Sequence, residues 1–210
     1  QPGVRQAMTK RPTRGALTAL AQAAALMATL AGCGGGGSLD NPPNVANPLG
    51  SGGQKLSFLY FQRCVNPVLN TPLPIRINGN TTTNTCAGAG CHDNISGTGG
   101  ALRLLGRAPV VDATAAVDAV RASDMYKNYY SSLGESVVGN PEQSRLLNKP
   151  LVRNTLHGGG LVFESADDPS AKLIRYWINR PIPAGQDEFS SAANTMFTPA
   201  DPATGACNTD

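Results

Sequence analysis

Cys86-Ala-Gly-Ala-Gly-Cys91-His92 is the stretch of this chain whose residue types and spacing could do the most chemistry. Two thiols a short loop apart can meet the two vinyl groups of one porphyrin, and an imidazole directly after the second thiol can bind the iron. The short form of such a covalent haem attachment motif has two residues between the cysteines, followed directly by His. Here Ala87, Gly88, Ala89 and Gly90 intervene, so the extra backbone must bulge away from the ring edge. All four are small, and the two glycines are free to take positive φ. The same residues admit other readings. Exported cysteines at this spacing could close a small disulfide loop with His92 as a bystander. A closed zinc shell is harder to assemble, because no other His lies nearby and only three cysteines remain elsewhere.

The chain has two histidines, His92 and His157. With His92 as the proximal ligand, the sixth position falls to His157, to a Met, or to nothing. His157 opens the segment His157-Gly158-Gly159-Gly160, and a loop of three glycines can approach a flat ring closely and aim an imidazole at iron. Met196 is the competing ligand, while Met125 lies beside a tyrosine stripe and reads as core. His-Gly-Gly-Gly also matches the oxyanion motif of some lipases, but no Gly-x-Ser-x-Gly occurs and the only other His precedes the motif. A hydrolase is therefore set aside. The candidate site is Cys86, Cys91, His92 and His157, with His92 and His157 on the iron of one haem and no catalytic residue on a substrate.

The elements that must position these residues begin after a leader. Met8-Thr-Lys10-Arg11-Pro-Thr-Arg14 is basic, residues 15–31 are apolar, and Leu30-Ala31-Gly32-Cys33 closes the run with small residues before a Cys. That arrangement resembles the lipobox of bacterial lipoproteins, which implies cleavage after residue 32 and a lipid on Cys33. The alternative is a transmembrane helix, but the run is at the lower limit for a span and ends in glycines rather than a charged stop. Gly34 after the lipidated Cys implies sorting to the outer membrane. Residues 33–55, rich in Gly, Pro and Asn, read as a flexible tether, and residues 56–210 as one haem-binding domain. Arg5, Lys10, Arg11 and Arg14 leave with the leader, which turns 17 Lys+Arg against 14 Asp+Glu into 13 against 14. Nothing in that balance suggests a nucleic-acid partner.

Within the domain the pattern is helical. Ser57 can cap a short helix carrying Phe58, Leu59, Tyr60, Phe61 and Val65, limited by Pro67. Thr71 to Thr85 reads as a long loop. Ser123 caps a helix with Tyr126, Tyr129, Tyr130 and Leu133 on one face. Asn140-Pro141 and Asp168-Pro169 each look like an N-cap followed by Pro at the first helical position. The second precedes a stripe of Leu173, Ile174, Trp177 and Ile178 that Pro181 terminates. No alternating strand run of useful length is evident. The expectation is a mostly α, small helical domain with long loops wrapped around one covalent haem, the porphyrin supplying a core the chain otherwise lacks. Trp177 and the tyrosines are packing residues, some touching the haem only because it is central.

Taken together, Cys91-His92-Asp93-Asn94, Gly97 to Gly100, the segment Ser144 to Pro150, His157 to Gly160 and Leu173 to Ile178 resemble a bacterial monohaem c-type cytochrome domain. The resemblance covers roughly residues 56 to 180 and departs from the family in the four-residue cysteine spacing. It implies a cytochrome c-like fold and an electron carrier rather than an enzyme, with a redox partner protein in the cell envelope. A haem sensor or peroxidase-like enzyme with a displaceable His157, or a non-haem structural lipoprotein stabilised by disulfides, are the alternatives. With lipid and haem assigned, Cys64 and Cys207 remain, natural disulfide partners in an oxidising compartment, or else two free thiols. Such a bond would pin a tail, residues 198–210, that has no other evident anchor.

Overall fold

The computed structural model describes residues 53–112 and 115–210. The leader, Cys33 and most of the tether lie outside the described residues.

Short elements dominate, as 24 Gly and 16 Pro in the chain dictate. Ser57 caps the first helix as its position predicts, accepting from the Tyr60 amide at 3.1 Å. That helix, α1 (Phe58–Tyr60), runs through a π turn (Phe61–Val65) into α2 (Asn66–Asn70). Pro67 was expected to end the helix, yet the chain stays helical past it. The wider π turn immediately before relieves the clash between a proline ring and the preceding turn's carbonyl.

The stretch read as a loop is instead a hairpin. β1 (Leu73–Ile77) pairs antiparallel with β2 (Asn80–Asn84), with Ile75 opposite Thr82. Asn78 and Gly79 form the two-residue connection with φ of 50° and 80°. Positive φ at both central positions is the type I′ geometry that Asn-Gly favours.

After a long irregular segment come α3 (Val117–Ala122) and α4 (Asp124–Gly134), the latter capped by Ser123. A 3₁₀ turn (Pro141–Gln143) precedes α5 (Arg145–Asn148), and here Asn140 makes no side-chain cap; Ser144 is the N-cap position of α5. Asp168 does cap α6 (Pro169–Asn179), accepting from the amides of Ser170 and Ala171. A final 3₁₀ segment (Ser191–Met196) leads to β3 (Phe197–Thr198), paired with β4 (Ala206–Cys207).

The mostly α, cytochrome c-like expectation is therefore corrected. Among the described residues six short α-helical stretches and two two-stranded sheets make a mixed fold, in which even the longest helices, α4 and α6, have 11 residues. The idea that a porphyrin must substitute for the core fails with it. Phe58, Phe61, Tyr129 and Trp177 are each no more than 1 % exposed and meet one another in tilted and edge-on contacts at ring separations of 5.3 to 6.1 Å. Trp177 donates to the Ser57 carbonyl and Tyr129 to that of Leu56, so the two polar ring atoms are satisfied inside the core. This aromatic core is complete in protein side chains alone.

The C-terminal segment is part of that core. Ile182 donates to the Lys55 carbonyl at 2.7 Å, Phe58 to that of Glu188 at 2.9 Å, and Phe197 is 2 % exposed. Cys64 in the π turn is joined to Cys207 in β4, with Cα atoms 6.0 Å apart.

Candidate functional site

Cys86, Cys91, His92 and His157 all line one cavity of about 640 Å³. That size falls within the about 300–1,000 Å³ of small-molecule and cofactor sites. Met196 and Cys64 do not line it, and Cys207 does not either. Cys33 lies outside the described residues.

The local chain explains how the motif closes. The His92 amide donates to the Cys86 carbonyl at 2.9 Å, and the Cys91 amide to that of Gly88 at 3.0 Å. The four-residue insert is thus folded back into a tight turn. Only Gly90 of its two glycines takes positive φ, at 78°. Gly88 matters for space, since a Cβ there would strike the Asn84 side-chain oxygen and stand 3.0 Å from the Thr85 carbonyl. Ala87 does not bulge outward: it is buried, and its amide donates to the Leu69 carbonyl. Beyond the motif, Leu104 donates to the His92 carbonyl at 2.8 Å and Asn94 to that of Leu104 at 2.9 Å, fixing the backbone on both sides of the imidazole.

His157 arrives by a different route. Arg76 of β1 and Leu161 exchange two backbone hydrogen bonds of 2.9 and 3.0 Å, so the glycine loop hangs on the outer edge of the hairpin. Gly160, at φ 77°, sits directly on the Arg76 carbonyl, where a Cβ could not fit. The hairpin also walls the cavity. Leu73, Ile75 and Ile77 share one face of β1 by strand alternation, with Thr82 and Asn84 across from them, and all five line the cavity.

The two imidazoles are close and aligned, with ring centroids 6.2 Å apart and planes within 13° of parallel. His92 Nδ1 lies 3.2 Å from the Leu102 carbonyl and His157 Nδ1 lies 2.7 Å from that of Gly160. A carbonyl only accepts, so each Nδ1 carries the proton and each neutral ring keeps its lone pair on Nε2. Burial lowers the basicity of both rings, the Leu102 and Gly160 carbonyls opposing it and nearby charge adding to it, Lys149 acting on both and Arg103 on His92. Among the described residues neither Nε2 has a hydrogen-bond partner. An imidazole oriented through Nδ1, with Nε2 left available, is one that could hold a metal.

Both cysteines are unpaired thiols. Burial, with Cys91 nearby, pushes the Cys86 thiol up to about 11. The Asn84 amide nitrogen lies 3.4 Å from the Cys91 sulfur. Among the described residues no three His, Cys, Asp or Glu side chains converge as a metal shell, and the cavity offers two imidazoles and two thiols.

Several contributors to the site were missed from sequence. The hairpin has a sequence signal, Asn78-Gly79 between alternating apolar residues. Gly99 has none: a Cβ there would run into the His92 ring, so this glycine makes room for the imidazole. The aromatic residues expected to touch a central haem do not line the cavity at all.

Protein-family models, curated proteins and solved structures were all compared with this chain, and none matches it.

Proposed function

We propose that this protein is an electron carrier of the bacterial cell envelope, holding one haem covalently through Cys86 and Cys91 and axially through His92 and His157. The single observation that carries the reading is the convergence, on one cavity, of two thiols and two imidazoles whose Nδ1 atoms are both engaged by backbone carbonyls. One-electron exchange between Fe(III) and Fe(II) is the chemistry such a group supplies when bound. The chain's own part is to bind and orient. Cys86 and Cys91 tether the ring edge, and the Leu102 and Gly160 carbonyls fix the tautomers of the two histidines. The hairpin face of Leu73, Ile75 and Ile77 shields one side from water. With an imidazole on each face, no position is left for a substrate, which favours electron transfer over a sensor or peroxidase-like enzyme.

A lipid on Cys33 would tether the domain to the outer membrane through residues 33–55 and present it to a redox partner protein. Among the described residues no helix is long and apolar enough to cross a membrane.

A pyridine-haemochrome spectrum of protein from the membrane fraction tests the reading. The expected spectrum is that of haem with both vinyl groups saturated, which acid-acetone fails to extract. Extractable haem would refute covalent attachment, and absence of haem would return the cysteines to a structural role. Carbon monoxide should not bind the reduced protein; rapid binding would favour the sensor or peroxidase alternative.

A further inference from the structure

The cavity wall contains one charged side chain, Lys149. Its other polar lining residues are Thr82, Thr83, Asn84, Thr85 and Thr98 besides the thiols and imidazoles, and no Asp or Glu is among them. Every carboxylate within ion-pairing range of a cation among the described residues pairs with an Arg or with Lys127, and none with Lys149. Lys149 also lines the adjoining smaller cavity, whose Glu135 is engaged by Arg145 at 3.5 Å. A partly buried lysine in the wall of a cavity that offers hydroxyl and amide donors and no acid calls for an anion.

The backbone holds this lysine firmly. Its amide donates to the Arg145 carbonyl at 3.1 Å, and its own carbonyl accepts from Val152 at 2.9 Å. The next residue's carbonyl, that of Pro150, accepts from both Val162 and Phe163. Lys149 is also the cation whose field reaches both His92 and His157. The neighbouring Arg103 is occupied, donating to the Gly97 carbonyl at 2.7 Å.

We infer that Lys149 is the carboxylate anchor of the cavity, its ammonium paired with a propionate of the porphyrin and the threonine hydroxyls supplying further donors. This rests on the haem reading above. The pairing fixes how the ring is turned about the axis through the two imidazoles, which the thiols alone set only at one edge. It also places a compensated, rather than bare, negative charge near the iron.

Carbodiimide treatment of the purified, haem-bearing protein tests the contact, because it joins an amine to a carboxylate only when the two touch. Proteolysis should yield the Cys86–His92 haem peptide linked through an amide to the peptide containing Lys149. Lys149→Gln and Lys149→Arg should both lose the link and keep covalent haem. In Lys149→Gln the loss of a nearby positive charge favours Fe(III). The oxidised-to-reduced ratio at a fixed potential should rise about tenfold, a fall of about 59 mV in midpoint for a one-electron couple. Lys149→Arg should retain the wild-type midpoint. A haem-bearing wild type in which Lys149 stays uncoupled overturns this inference alone. A wild type without covalent haem overturns the haem reading and this inference with it.

Discussion

His92 and His157 are 65 positions apart in sequence, yet each is prepared in the same way, by a carbonyl on Nδ1. Orientation by the backbone rather than by a carboxylate keeps the imidazole donor neutral. On the haem reading proposed above, His157→Ala should leave the haem attached through Cys86 and Cys91 and should open the sixth position. The ferric spectrum is expected to change from low-spin to high-spin, and the reduced protein to gain carbon monoxide binding. Met196→Ala should change neither, because Met196 is buried among Tyr176, Arg180 and Ile182 and away from the cavity. An unchanged low-spin spectrum in His157→Ala would remove His157 as the ligand. At this scale the sequence was most legible. The motif residues and the second histidine carry their chemistry in their identity. What could not be read were residues whose role is to be small: Gly88 and Gly99 matter through atoms that come near them only once the chain is folded.

Elements were legible where a local signal sufficed. Ser57, Ser123 and Asp168 each accept from the amides of the helices they precede, and α6 stops just before Pro181. The hairpin was not recognised because its apolar alternation lies on β1 only. β2 is Asn-Thr-Thr-Thr-Asn, a strand with no apolar residue, whose pairing is settled by the Asn78-Gly79 turn. Its importance to the site gives a direct test. Gly160→Ala places a methyl on the Arg76 carbonyl at a residue held at φ 77°. A misfit at such a position costs about 1–3 kcal/mol. The expected result is faster amide exchange at Arg76 and Leu161, with a loosened His157–Gly160 loop, while the exchange of α4 and α6 is unchanged. Equal loss of protection throughout the domain would show that the loop–hairpin pairing is not a separable unit.

Across the described residues, a bond joins the first helical run to the last strand. Cys64 and Cys207, separated by 143 residues, join the π turn to the last strand. Replacing both with Ala should lower stability by about 4–5 kcal/mol in the chain-entropy account. Urea unfolding measures it, and a change below 1 kcal/mol would mean that the tail is held by packing alone.

The second closure is electrostatic. Glu188, 3 % exposed, accepts from the Tyr126 hydroxyl at 2.7 Å and from Arg121 at 3.0 Å. Burial alone would raise the Glu188 pKa, but the Tyr126 hydroxyl, its own backbone amide and Arg121 outweigh it and hold the carboxyl below its ordinary range. The group therefore stabilises the fold fully above the ordinary carboxylate pKa and loses that contribution as pH falls through the depressed folded value. Glu188→Gln should be less stable at pH 7, with the gap to wild type narrowing toward pH 3 in urea titrations. A gap independent of pH would assign the loss to packing. Neither closure was legible as a shape: the pairing of Cys64 with Cys207 followed from elimination, and the Glu188 contact joins residues 62 and 67 positions apart that carry no local signal.

The hairpin has one more consequence. Its β2 strand runs through Thr85 directly into Cys86, and its β1 strand holds Leu161, four residues from the glycine loop's imidazole. Both faces of the cavity are therefore mounted on a single bracket. A tilt of the hairpin would therefore move Cys86 and Leu161 together. On the haem reading proposed above, such common mounting would let thermal motion of the hairpin pass without stretching a bond from either imidazole to iron. It would keep small the nuclear rearrangement that accompanies each electron.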